Sequence, residues 1–296
     1  DVYLKYSAPA SSYNNCGSRK FGRNVWFRFR TKYRVYGRVI GVKCTRSNSW
    51  LPLISLPLAR VKKQQTNMQK HWWKVLSVLL ITYSIIAGFL GEVPARDILN
   101  ESIRNLYFHV SMWFAMITMM AISLVYSIKY LAGFKRPFDN RANLFAEMGL
   151  IFSFLGIVTG TVWAKFTWGA FWTNDPKLNG TAITILIYLA YFILRGSMDD
   201  RDKKARIAAV YNIFAFVLMI VFIGILPRLT DSLHPGNGGN PGFSNYDLDS
   251  KMRMVFYPAV FGWILFGVWV ADIRYRINFS KERIETWKND ILNHLH

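Results

Sequence analysis

Of the five histidines in this 296-residue chain, two sit where they could act together. His109 lies in Asn105-Leu106-Tyr107-Phe108-His109-Val110-Ser111-Met112-Trp113, and His234 in Asp231-Ser232-Leu233-His234-Pro235-Gly236. An imidazole inside an apolar helix is either a hydrogen-bonded packing residue or one member of a functional pair. Between the two histidines runs Phe166-Thr167-Trp168-Gly169-Ala170-Phe171-Trp172-Thr173-Asn174-Asp175-Pro176-Lys177. Trp168 and Trp172 share a face if that stretch is helical. With Phe171 they would make an apolar aromatic platform, or else a belt that anchors the chain at a membrane surface. Other chemistries lack their motifs. The chain has no Cys-x-x-Cys-His, so it is not itself a c-type cytochrome. It also lacks a zinc-hydrolase His-Glu-x-x-His and a phosphate-cradling Gly loop, so any ATP-driven step must come from a partner.

Positioning these groups requires a scaffold, and the sequence predicts a membrane bundle. A bilayer core of about 30 Å needs about 20 apolar residues as helix. Six stretches qualify: 72–90, 106–128, 148–164, 178–194, 207–227 and 254–271. The third and fourth are short and should extend past their flanking charges. The expected fold is therefore all-α, a polytopic bundle of six transmembrane helices. Lys and Arg concentrate before the first span, after the second, after the fourth and after the sixth. Such excess marks cytoplasmic segments, which puts both termini in the cytoplasm and loops 91–105, 166–177 and 228–253 outside. His109 and His234 then lie at one membrane depth, on the outer side, beside the aromatic loop. His71, His294 and His296 fall on the inner side. Axial ligation of haem iron by two imidazoles needs such a pair, with aromatic walls against the porphyrin. No span carries a mid-span charge, which counts against an ion-coupled carrier. Gly156-x-x-x-Gly160 in the third span is a small-residue spacing that lets helices approach closely, within this chain or against a partner subunit.

Composition divides the chain. Hydrophobic residues make up 52% and aromatics 16%, which excludes disorder from end to end. Two cysteines cannot staple a chain of this size. Residues 1–67 hold 14 Lys/Arg against one acid, whereas the remainder holds 23 against 16. The first segment is basic, with no sustained period of 2 or 3.6. It is expected to be disordered or to reflect a mistaken start, with the functional protein beginning at Met68. An organellar transit peptide or a lipid-binding tail are further readings, and nucleic-acid binding is not expected. Residues 68–285 form the expected six-span domain and 286–296 a C-terminal tail.

These residues resemble a family. Trp168-Gly169-x-x-Trp172-x-x-Asp175 is similar to the tryptophan-rich Trp-Gly-x-x-Trp-x-Trp-Asp signature of the CcmC/CcsA family of haem-handling membrane proteins. In that family the signature lies in an outer loop between the third and fourth of six spans. Arg104-x-x-Tyr107-x-His109-Val110, Asp199-Asp200-Arg201 and Leu233-His234 resemble flanking segments, and the similarity runs from about Met68 to Glu282. The last Trp of the signature is Asn174 here, and Asp175-Pro176-Lys177 resembles the CcsA type, whereas six spans with one outer histidine pair favour the CcmC type. The resemblance implies a factor of c-type cytochrome biogenesis in the bacterial inner membrane, multi-pass, with its functional loops on the periplasmic side. It implies non-covalent haem b held by His109 and His234 as axial ligands, with Trp168, Gly169, Trp172 and Asp175 completing the site. Delivery would be to a periplasmic haem chaperone, with an ABC-type ATPase and a second membrane subunit as partners. This would be a delivery and assembly role rather than an enzymatic one. The alternative is a CcsA-type lyase subunit that attaches haem directly to apocytochrome.

Overall fold

The computed structural model describes residues 20–28, 34–43, 50–53, 71–95, 99–234, 243 and 247–295. Cys16, Cys44, the expected start at Met68, and His296 lie outside the described residues. The chain divides into two compact units, 1–67 and 68–296.

In the first unit three strands pair in the order β1 (Lys20–Arg28), β2 (Arg34–Lys43), β3 (Trp50–Leu53). Both pairings are antiparallel, with Lys20 opposite Val42, Arg28 opposite Arg34, and Ile40 opposite Leu53. The sequence gives this segment no sustained alternation, so these strands were not expected. Val, Ile, Phe, Tyr and Trp are frequent within them, and their extended preference does not need a clean period.

The second unit is all-helical among the described residues, and six of its helices are long and apolar enough to cross a membrane. They are α1 (Trp72–Leu90), α2 (Leu106–Gly133), α3 (Arg136–Trp168), α4 (Pro176–Gly196), α5 (Arg201–Met219) taken with its helical continuation to Leu229, and α7 (Ser250–Leu295). A 3₁₀ turn, Asn100–Asn105, leads into α2. A π turn, Ile220–Ile225, carries α5 into the short α6 (Leu226–Leu229). All six apolar runs are helical, and the third and fourth do extend past their flanking charges. The helices outrun the apolar stretches because charged side chains near their ends reach the polar interface.

Helix ends follow their local residues. Pro176 starts α4 where its missing N–H is not needed, and Asp175 caps the amides of Lys177 and Leu178. Asp200 caps α5 through the amides of Asp202 and Lys203. Gly169 ends α3 at φ +80°, a left-handed position that favours glycine. Arg104 donates to the carbonyls of Gly88 and Gly91 at the end of α1, filling acceptors that the helix leaves open.

The core is rich in methionine. Met112, Met116, Met119 and Met120 on α2 pack with Met148 and Phe152 on α3, Tyr188 and Tyr191 on α4, and Met219 on α5. The flexible thioethers fill irregular gaps between helices. Asn212 on α5 donates to Ser123 and Ser127 on α2 at 2.7 and 2.8 Å, a buried polar tie between two apolar helices. α1 packs on α7, with Ser77 Oγ donating to Gly262 O at 3.1 Å, and exposes much of its remaining surface.

At the end of the bundle away from the tryptophan loop, Arg195 grips Asp139 through two 2.7 Å hydrogen bonds, each side chain 13% exposed. Asp139 sits in the first turn of α3 and Arg195 in the last turn of α4, so each also suits its helix dipole. Asp139→Ala leaves the guanidinium buried without its partner, and a loss of about 3–5 kcal/mol is expected. Thermal unfolding in detergent should report it. Adding Arg195→Leu should restore most of the loss, because no unpaired charge then remains.

Candidate functional site

His109 projects from the second turn of α2 and is 8% exposed. Its Nδ1 lies 2.9 Å from the carbonyl of Gly156 and 3.3 Å from Thr159 Oγ1, both on α3. A backbone carbonyl only accepts, so Nδ1 carries the proton. On the other side of the ring, Trp113 Nε1 donates to His109 Nε2 at 3.2 Å. An indole N–H only donates, so Nε2 offers its lone pair. The partners therefore assign the neutral Nδ1–H tautomer. Trp113 and Trp163 both meet the ring edge-on, at 5.9 and 5.8 Å between centroids.

The glycine pair on α3 makes this possible. A Cβ on Gly160 would lie 2.5 Å from His109 Cε1, and one on Gly156 would lie 2.8 Å from the Trp113 indole. The Gly-x-x-x-Gly spacing thus packs within the chain, seating two rings of α2 against the backbone of α3. Asn105 Nδ2 donating to Thr159 O and Trp163 Nε1 donating to Ser102 Oγ tie the 3₁₀ turn before α2 to α3.

His234 follows α6 and is anchored differently. Its Nδ1 donates to Asp175 Oδ1 at 2.9 Å, which turns Nε2 away from the carboxylate. Asp175 is 2% exposed. Its Oδ1 also accepts from the amides of Lys177 and Leu178, while Oδ2 accepts from Ser232 Oγ at 2.8 Å and the Leu233 amide at 2.7 Å. One carboxylate therefore joins the start of α4 to the segment carrying the second histidine. Burial raises the Asp175 carboxyl pKa, but the hydrogen bonds from His234, Ser232 and Leu233 outweigh it and hold it well below the usual range. Trp168 meets the His234 ring edge-on at 4.9 Å.

Both imidazoles line one cavity of about 240 Å³. Its walls are mostly apolar and aromatic, including Leu106, Trp113, Phe114, Trp163 and Trp168, with Lys177 and Asp247 adding charge. Of the six residues singled out from sequence, His109, His234 and Trp168 line this cavity. The other three stand outside its lining. Gly169 ends α3, and Asp175 is the anchor beneath His234. Trp172 is 45% exposed and donates to Asn179 Oδ1 at 3.2 Å. The chain leaves α3 at Gly169, so Trp168 and Trp172 do not share a helical face, and Phe171 is exposed. Trp113 and Trp163 were not singled out. The four-residue step from His109 to Trp113 on α2 is a readable signal of contact, whereas Trp163 reaches the site only through packing of α3.

Among the described residues no group of three or more His, Cys, Asp or Glu could hold a metal ion. Two imidazole nitrogens suit a metal that brings its other donors with it, as in a flat macrocycle.

Six helices long and apolar enough to cross a membrane, with a two-histidine, tryptophan-walled cavity among them, describe a multi-pass membrane protein. The sequence profile of the family described as Heme exporter protein C matches residues 55–289, and the chain belongs to that family. Among curated relatives, Heme exporter protein C of Escherichia coli strain K12 is 27% identical over 75% of this chain and 88% of its own length. The protein of the same name from Haemophilus influenzae is 27% identical over 70% of this chain and 83% of its own. That of Paracoccus denitrificans is 23% identical over 72% and 87%.

The Asp175 anchor makes a pH prediction. A carboxyl whose folded pKa is depressed adds stability that is fully present above its ordinary value of 3.8 and lost as pH falls through the folded value. Acidification from pH 7 to 5 should leave the anchor charged and the Trp168–His234 contact in place. The loss should begin only below about pH 4. Tryptophan fluorescence against pH checks this, and Asp175→Asn should abolish the low-pH transition because it has no charge to lose.

Proposed function

We propose that this chain binds haem b non-covalently between His109 and His234 and hands it on during c-type cytochrome assembly. The observation that carries the reading is the convergence of two imidazoles on one aromatic cavity, each with Nδ1 held by a fixed acceptor. Metal-bound histidines commonly donate their second nitrogen to a carbonyl or carboxylate, which fixes the tautomer and aims the ligating atom. Membership of the Heme exporter protein C family supports the same reading.

The residues fit the cargo. Haem brings four equatorial nitrogens and leaves two axial positions, matching a site with two protein donors. Trp163, Trp168 and Phe114 offer apolar faces that exclude water from the ring. Lys177 gives the cavity wall a cation suited to a propionate. Trp172 and Phe171 are exposed on the same loop, which makes them available to an acceptor. We take that acceptor to be a periplasmic haem chaperone. This chain carries no phosphate-binding loop, so an ABC-type ATPase and a second membrane subunit would supply the energy and complete the complex. No covalent bond is made by this chain in the scheme, and the bacterial inner membrane is its place, with the cavity toward the periplasm.

The ligand assignment is tested by absorption spectra of the purified protein loaded with haem. Wild type should be six-coordinate and low-spin. His109→Ala and His234→Ala should each convert the iron to high-spin, and added imidazole should restore the low-spin form. If both variants keep the wild-type spectrum, the two histidines are structural.

Sidedness has its own test. A reporter active only outside the cytoplasm should be active when fused after residues 100, 172 and 240, and silent after 138, 202 and the C-terminus. A single reversal overturns the orientation drawn from the charge pattern.

A further inference from the structure

The Trp113 indole occupies the atom of His109 that a metal would need. His109 has one available lone pair, on Nε2, because Nδ1 gives its proton to the Gly156 carbonyl. Trp113 Nε1–H points into that lone pair at 3.2 Å. The contact is held from both sides. The indole lies across Gly156 and the imidazole across Gly160, with no room for a Cβ beneath either ring. Both side chains line the cavity. The ring of His234, by contrast, hydrogen-bonds Asp175 through Nδ1 and no indole among the described residues.

A lone pair cannot serve an N–H and a metal together. Ligation through His109 must therefore break the indole bond and leave an N–H without its partner in a largely apolar wall, which is unfavourable. We propose that Trp113 is a positioning residue whose indole N–H competes with haem iron for His109 Nε2, making His109 the labile ligand and His234 the retained one. This rests on the reading that both histidines ligate haem. It deepens that reading by assigning an order of release. His109 lets go first and is recaptured by the indole, while His234, stiffened by its carboxylate, holds the cargo until transfer.

The full chain in detergent is the material, and free haem is the probe. Trp113→Phe keeps an aromatic ring, removes the N–H and replaces the indole by a smaller ring. Loss of the competitor should slow haem release and tighten binding by about 2- to 12-fold, the equivalent of one ordinary hydrogen bond. A substitution that merely loosened the wall would shift both in the opposite direction. In His109→Ala the added Trp113→Phe change should have no such effect on release. A second measurement reads the indole directly. In ¹⁵N-tryptophan-labelled protein, the Trp113 indole signal is the one missing from Trp113→Phe, and it should move in His109→Ala and on haem loading of the wild type.

Unchanged or faster release from Trp113→Phe, in a protein whose His109→Ala variant still turns high-spin, overturns the competition and leaves the ligand assignment standing. An indole signal that stays in place in His109→Ala overturns it too. If His109→Ala retains the low-spin spectrum, the ligand assignment itself falls, and the competition with it.

Discussion

An imidazole carried into an apolar bundle must have its N–H satisfied, because no water stands ready to do so. For His109 the acceptor is the Gly156 carbonyl, a backbone group already committed to α3. Reaching it requires α2 and α3 to approach until side chains of one touch the main chain of the other. Gly156 and Gly160 permit that approach, and the rings of Trp113 and His109 fill the space that two Cβ atoms would take. The cavity, the tautomer and the direction of Nε2 all follow from this contact.

His234 needs the same service but lies outside the helices, where the chain is less constrained. A buried carboxylate performs it. Asp175 holds the α4 amides with one oxygen and the Ser232–Leu233 segment with the other, and His234 shares the first. A residue that begins as a helix cap thus becomes the joint between two loops. Five donors keep it ionised despite burial, so the joint is strong where the loop itself has little packing to hold it.

The two anchors differ in kind. A backbone carbonyl and two glycines give a rigid seat, and the indole above it gives a second partner for the same ring. The carboxylate anchor fixes one nitrogen and leaves the other directed elsewhere. Away from the site the bundle is conventional: methionines and aromatics fill the interior, and a few polar ties lock one helix to the next.

Much of the scaffold was legible in the chain. Crossing a bilayer depends on apolar content summed over about 20 residues, a local property. All six runs became helices for that reason, and α1 spans the residues expected of it. The histidine pair and the aromatic loop were legible because their residue types are rare in such surroundings. The strands at 20–53 were not, since a strand is defined by its partner and the period was weak. Nor was the division of labour at the site. Asp175, grouped in the sequence with the cofactor-binding residues, is hydrogen-bonded beneath His234, and Trp172, grouped with Trp168, stands half exposed beyond the Gly169 turn. Those assignments join residues 47 and 59 positions apart, and a hydrogen bond of that span exists only once the helices have packed. The sequence by itself determined which groups were available and which helix or loop would carry each. Only the tertiary structure decided which nitrogen carries the proton, which lone pair faces the cavity and what already occupies it, because those depend on a few ångströms between elements that no local pattern encodes.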